Sequence, residues 1–223
     1  MLPLRDSLSH HGPALVTKLL VIINVLAFLA QVSGGPAGFE QGVIRYSLIP
    51  ALLFENPLAQ SYRLVTSMFM HGGVAHLLGN MWFLWVFGPA LENRLGGGRY
   101  LGLYLLTGIV AGLAQAALTA DSITPVVGAS GAVSGVLGGY FILFNREFVF
   151  SVVWLLLPLF VWVPVSIYLG YWALIQVVYA LMGVPGTAWW AHIGGFVAGL
   201  LLARQFRRRN RYKAQPYWQE WFD

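Results

Sequence analysis

Apolar residues along this chain come in long continuous runs, not in alternation, and the runs are separated by short polar or glycine- and proline-rich stretches. The first run covers Ala14 to Val32, the second Val74 to about Leu91, and the third Tyr100 to Ala120. A fourth begins near Ser130, after Thr124-Pro125, and ends at Asn145-Arg146-Glu147. Phe148 to Met182 is longer than one span but is interrupted by Pro158 and Pro164. It reads as an aromatic interfacial segment followed by a fifth span from Pro164 to Met182. After the tight turn Gly183-Val184-Pro185-Gly186, a sixth span starts at Trp189-Trp190 and ends at Arg204. Runs of this kind approach the ~20 residues that a helix needs to cross about 30 Å of hydrocarbon, whereas barrel strands would alternate. The expectation is an all-α polytopic membrane protein with six transmembrane helices in one bundle.

The intervening stretches complete the outline. Gly34 to Met70 is too polar and broken to cross, although Leu48 to Phe54 is apolar enough to lie at the interface. Met1 to Gly12 is polar and leads into a full-length span with no small-residue cleavage site, as expected of a retained first helix rather than a signal peptide. Glu92 to Arg99 reads as a short charged loop. The expected organisation is an N-terminal segment over 1–13, a membrane domain over 14–204 with a long loop over 34–70, and a basic tail over 205–223.

Composition agrees with the pattern. Of 223 residues 58% are hydrophobic and only 9% charged, and mean hydropathy is +0.69, whereas soluble domains carry roughly 25% charged residues. Without cysteine, disulfides, thiolate nucleophiles and thiolate-bound metals are excluded. The net charge of +5 comes mainly from Arg204, Arg207, Arg208, Arg209, Arg211 and Lys213. A basic run directly after a membrane helix fixes topology, and no aromatic interleaving points to nucleic acid. Six spans put both ends on one side with Arg5, Lys18, Arg94, Arg99 and Arg146, leaving Arg45 and Arg63 opposite. The positive-inside rule then makes both termini cytoplasmic, in a cell (inner or plasma) membrane.

Polar groups at membrane depth are costly and mark function by default. Asn24, Gln115 and Gln176 are such groups; so are His76 and Asn80 in span two, Ser130 and Ser134 in span four, and His192 in span six. Spans two, four and six run the same way, with inner ends marked by Glu92, Arg146 and Arg204. At ~1.5 Å per residue, Ser130 and His76 lie about 24 Å above their markers, and Asn80 and His192 about 18 Å. Four polar side chains from three helices therefore share a layer about 6 Å deep. Span four is short, so water must reach Ser130 through a cavity open to the outer side.

Gly131, Gly135 and Gly138 give span four a bare side, and His192, Gly195 and Gly199 share one face of span six. Packed together, these faces bring the imidazole within reach of Ser130. A serine hydroxyl needs a base to take its proton, and neutral histidine is the usual one. The Ser130 backbone N–H at a helix start, with the His76 and Asn80 side chains, can meet a developing oxyanion. All eight acids fall in loops or tails, so the pattern supports a Ser–His dyad without the acid of a triad. It calls for no metal or cofactor.

Gly128-Ala129-Ser130-Gly131, Ala191-His192-Ile193-Gly194-Gly195-Phe196-Val197-Ala198-Gly199 and His76-Leu77-Leu78-Gly79-Asn80 resemble the GxSG, AHxxGxxxG and HxxxN motifs of the rhomboid intramembrane serine proteases. His71 stands at that family's additional upstream histidine, and Glu92-Asn93-Arg94-Leu95-Gly96 is similar to its loop after helix two. The likeness runs from about Tyr62 to Leu202. It implies the six-helix rhomboid fold, Ser130 as nucleophile, His192 as general base and an oxyanion hole of Ser130, His76 and Asn80. Gly128, Gly131, Gly195 and Gly199, with His71, are candidate supporting residues. Substrates are implied to be membrane-spanning helices entering from the lipid bilayer between helices two and five. Two positions depart from the pattern: Tyr62-Arg63 stands where the family often has Trp-Arg, and Ser134 where some members stack a tyrosine on the histidine.

Other readings are open. His71 fits a snorkelling interfacial residue as well as a site residue, and Ser134 fits packing. Trp154, Trp162 and Trp172 fit belt or core, and His10 and His11 a solvated terminus; Arg63 is a candidate loop anchor. A catalytically inactive rhomboid-like protein that binds transmembrane helices is the alternative function. A transporter would want charged groups along a path, and zinc or aspartyl mechanisms lack HExxH or any buried Asp.

Overall fold

In the computed structural model, residues 1–8, 12–154 and 157–206 are described; the expectations for His10, His11 and the basic tail beyond residue 206 lie outside them. Strand β1 (Leu2–Asp6) is followed by α1 (Leu15–Ser33), α2 (Gly35–Tyr46), α3 (Pro50–Glu55), α4 (Pro57–Gln60), α5 (Arg63–Thr66) and a 3-10 turn over Ser67–Phe69. Next come α6 (Val74–Leu95), α7 (Gly97–Leu118), α8 (Ser130–Phe144), β2 (Phe148–Trp154), β3 (Pro158–Pro164), α9 (Val165–Leu181) and α10 (Trp189–Arg204). Helices α1, α6 and α7 are long and apolar enough to cross a membrane, while α8 and α9 are apolar but shorter.

Helix α8 is the centre of the bundle. Residues Gly131 to Tyr140 are buried without a break, packed against α10, α7 and α6. Its glycines are what allow this. A Cβ on Gly195 would collide with the Gly131 carbonyl, one on Gly199 with the Gly135 carbonyl, and one on Gly138 with the Phe196 carbonyl. The two bare faces thus meet backbone to backbone, as small-residue faces permit. Around them Phe87, Tyr100, Tyr104 and Tyr140 are among the largest side chains that are wholly buried.

The expected charged loop after span two does not form. Helix α6 runs on through Leu95 and α7 starts at Gly97, leaving Gly96, at φ +81°, as the break. Glu92 is consequently helical and buried. Its Oε1 accepts from the Val16 backbone N–H (2.9 Å), and its Oε2 from the Thr17 N–H and hydroxyl (both 2.8 Å). These are first-turn groups of α1, which has no side-chain cap of its own, so Glu92 serves as a cap from a neighbouring helix.

Within the stretch expected as an aromatic interfacial segment, Phe148–Trp154 is a strand, paired antiparallel with β3 and with β1, which gives the order β1-β2-β3. A short apolar run fits a strand and a buried helix equally well by periodicity; here β-branched and aromatic residues in both runs, with prolines at the two ends of β3, favour strands. Nor is Leu2–Asp6 a free polar end. Trp82 of α6 donates its indole N–H to the Pro3 carbonyl, Tyr168 of α9 donates to the Met1 carbonyl (3.3 Å), and Tyr140 of α8 donates to Asp6 Oδ2 (2.7 Å). Asp6 is buried. Asp6 and Glu92 are therefore exceptions to the expectation that all acids lie in loops or tails, although neither lines the cavity described below.

The long connection over 34–70 is folded onto the bundle. Leu48 pairs with Val126 in an isolated bridge, and Leu48 and Leu53 form a small second core with Ala116, Leu64 and Val126. The expected interfacial stretch is thus seated partly on protein. Buried Arg63 donates through Nη1 to the carbonyls of Ile44 (2.7 Å) and Ser47 (2.8 Å), and Tyr62 donates its hydroxyl to the Arg45 carbonyl (3.0 Å). The pair at the Trp-Arg position therefore does anchor this loop.

Candidate active site

A cavity of about 730 Å³ opens among α6, α7, α8, α9 and α10. His76 and Asn80 of α6, Ser130 of α8 and His192 of α10 all line it, so the four residues expected in one layer share one cavity.

Ser130 is the first residue of α8. First-turn N–H groups have no intrahelical acceptor and carry the positive end of the helix dipole. The approach to it is pinned on both sides. The Gly128 N–H donates to the Ser67 carbonyl (2.9 Å), and Val126 and Leu48 exchange backbone bonds (2.8 and 3.0 Å). Gly128 itself has φ +122°, and a Cβ there would lie 2.7 Å from both Cε1 and Nε2 of His76 and 3.6 Å from Asn80 Nδ2. Glycine is needed for the backbone angle and for the space. The same contacts put the His76 and Asn80 side-chain nitrogens directly over the loop that leads into Ser130.

His76 Nδ1 accepts from the Gly72 N–H (3.3 Å). A neutral imidazole that accepts at Nδ1 carries its proton on Nε2, the nitrogen beside Gly128. Asn80 Nδ2 donates one hydrogen to the His76 carbonyl (3.1 Å), which fixes the amide with a second N–H to spare. Both side chains are thus arranged as donors.

His71 is wholly buried, not snorkelling at an interface. Gln31 of α1 grips its backbone, accepting from its N–H (3.1 Å) and donating to its carbonyl (2.9 Å). Neither ring nitrogen has a hydrogen-bond partner among the described residues. The ring stands edge-on to His76 at 5.3 Å, and burial first, then the neighbouring His76, push it down to about 4. It is neutral at pH 7 and outside the cavity lining.

His192 enters from α10, whose start is held by α7: the Ala191 N–H donates to Gln115 Oε1 (3.2 Å). Gln115 thus caps a neighbouring helix. Ser134 also lines the cavity and donates to the Ser130 carbonyl (2.6 Å). Trp172, read from the sequence as belt or core, lines the cavity, with its ring 6.2 Å from the His192 ring. The contact that sequence reasoning missed is Gln176 of α9, whose Oε1 lies 2.7 Å from His192 Nδ1. Its signal was a carboxamide in the middle of an apolar run; the pairing itself depends on how α9 lies against α10, which no spacing encodes.

Residues 58–209 match the family model described as the Rhomboid domain. The chain is 35% identical over 144 residues to Rhomboid protease GluP of Bacillus subtilis (strain 168), covering 62% of this chain and 27% of that protein. It is 36% identical over 155 residues to RHOMBOID-like protein 4 of Arabidopsis thaliana, covering 69% of this chain and 36% of that protein. Rhomboid-related protein 2 of Mus musculus is 35% identical over 96 residues, 40% of this chain and 31% of that protein. The chain spans about a third of the length of these relatives. With its apolar helices and a domain match over most of its length, the chain is an integral membrane protein and belongs to the rhomboid family.

Proposed function

We propose that this chain is an intramembrane serine endopeptidase that hydrolyses peptide bonds in or near transmembrane helices of other membrane proteins. Family membership supports proteolysis within the bilayer in general terms. The observation that carries the specific reading is the meeting of Ser130, His192, His76 and Asn80, from three helices, on one cavity. In this reading α1, α6, α7, α8, α9 and α10 are the six membrane helices of a domain over 14–204. Both termini are cytoplasmic, and the cavity opens to the outer side of a cell membrane.

The chemistry follows from the positions. Ser130 Oγ attacks the scissile carbonyl carbon while its proton passes to His192 Nε2. The carbonyl oxygen becomes an oxyanion that accepts from the Ser130 N–H, His76 Nε2 and Asn80 Nδ2. The tetrahedral species collapses by breaking the C–N bond, and the leaving amine takes the proton from His192. Water then attacks the Ser130 ester, again giving a proton to His192; the C–Oγ bond breaks, a carboxylic acid leaves and Oγ regains the proton. A substrate helix must unwind to present an extended bond, so small or helix-breaking residues at the cut are favoured.

The test is cleavage of a tagged single-span substrate in liposomes by wild type, Ser130→Ala and His192→Ala. Cleavage by wild type alone, with all three folded, supports the dyad. Cleavage by Ser130→Ala overturns the nucleophile. A silent wild type that still captures the substrate helix favours the inactive, helix-binding alternative.

A further inference from the structure

We propose that Gln176 is the positioning residue of His192, fixing its tautomer and ring orientation from helix α9. This rests on the reading of His192 as general base. Gln176 is buried, and its carboxamide is held at both ends. Its Nε2 donates to the Trp172 carbonyl one turn earlier (3.2 Å), and its Oε1 faces His192 Nδ1 at 2.7 Å. The first bond settles which end of the amide is which. An amide oxygen only accepts, so His192 Nδ1 must carry the proton it donates. In neutral imidazole that leaves Nε2 bare and basic, the form a general base requires. Trp172 and Trp189 flank the ring at 6.2 and 6.0 Å and limit its rotation.

The arrangement fills the place left open by Ser134. No aromatic ring follows Ser130 by one turn to stack on the histidine, and no carboxylate lines the cavity among the described residues. A neutral carboxamide supplies the acceptor at no cost of a buried charge. Because it belongs to α9 while Ser130 and His76 belong to α8 and α6, the base is oriented by a helix that carries none of the other site groups.

The experiment compares wild type, Gln176→Leu and Gln176→Glu in proteoliposome cleavage, thermal unfolding and long-range proton–nitrogen NMR of ¹⁵N-histidine protein. The His192 signals are identified with a His192→Asn sample. Leucine removes the acceptor but suits an apolar helix; glutamate keeps an acceptor. Wild type should show His192 protonated at Nδ1. Gln176→Leu should mix in the Nε2-protonated form and lose at least about 10-fold in kcat, short of the ~10⁴-fold that a wholly wrong tautomer costs, with KM little changed. Gln176→Glu should recover most of the lost kcat. An unchanged tautomer or a wild-type kcat in Gln176→Leu overturns the proposal, as does an equal loss in both variants. If wild type itself does not cleave, the protease reading fails separately, while the NMR comparison still decides whether Gln176 sets the tautomer.

Discussion

Gly195 faces the carbonyl of Gly131 so closely that a methyl group on Gly195 would have its carbon 3.0 Å from the Gly131 carbonyl carbon. The same helix faces repeat this one turn on, where a Cβ on Gly199 would lie 2.9 Å from the Gly135 Cα. Since Ser130 and His192 sit at the start of these two faces, the helix spacing set by the glycines also sets the distance between them.

Gly195→Ala and Gly199→Ala should each destabilise the protein by about 1–3 kcal/mol, the usual cost of overpacking where the obstacle is backbone. Gly102→Ala and Gly170→Ala, whose added carbons meet nothing within 4 Å, should leave stability unchanged or raise it, by at most ~1 kcal/mol from helix propensity. Thermal unfolding in detergent separates the two pairs. Equal effects in all four would mean that close packing of α8 on α10 is not what the glycines provide.

Gly128→Ala combines a left-handed backbone angle with a collision against the His76 ring. It should lower kcat by ~100-fold or more through displacement of His76, the proposed oxyanion donor, with a smaller effect on unfolding than Gly199→Ala. Cleavage rates measured beside unfolding midpoints test this. A variant that unfolds early but cleaves normally would refute it.

Much of the site was legible because membrane depth turns sequence spacing into height. Counting from Glu92, Arg146 and Arg204 put His76, Asn80, Ser130 and His192 in one layer, and all four line one cavity. The glycine faces were legible for a related reason, since a missing side chain at helical spacing admits only a neighbour. Helix α10 has its expected bounds, Trp189–Arg204, and α9 falls within a residue of those expected. What was not legible were pairings between distant segments. Nothing in Leu2–Asp6 announces that Phe148–Trp154 is its partner, and an aromatic, apolar run broken by prolines does not show that it folds into a hairpin. Glu92 reads as a loop acid until α1 is seen to begin beside it. Gln176 was visible as a costly polar residue, but its partner was not.

Glu92 carries three short bonds to the first turn of α1. Removing them leaves buried N–H groups without an acceptor at the positive end of a helix. Glu92→Ala should therefore cost about 3 kcal/mol, and Thr17→Val, which removes the hydroxyl bond alone, about 1 kcal/mol. Because Glu92 is remote from the cavity lining, kcat per folded molecule should hold in both variants. Unfolding midpoints and initial cleavage rates taken on the same samples check both halves of this expectation.

The seam where the N-terminal strand meets α8 gives stability a pH dependence with a definite sign. Glu147, in the turn between α8 and β2, has its carboxyl raised above its ordinary value of 4.5, first by burial and then by the neighbouring Asp6; the Ser7 hydroxyl bond (3.1 Å) opposes this. The fold therefore favours the protonated form. That contribution is fully present below the ordinary value and is lost as pH climbs through the raised one. Glu147→Gln keeps an acceptor for Ser7 and cannot ionise. Relative to wild type it should gain stability as pH rises from about 4 to 8, with the gap opening across the carboxylate range and then levelling. Unfolding midpoints over that range, compared between the two proteins, measure the gap directly. Parallel curves would mean that Glu147 ionises as freely in the folded chain as in the unfolded one.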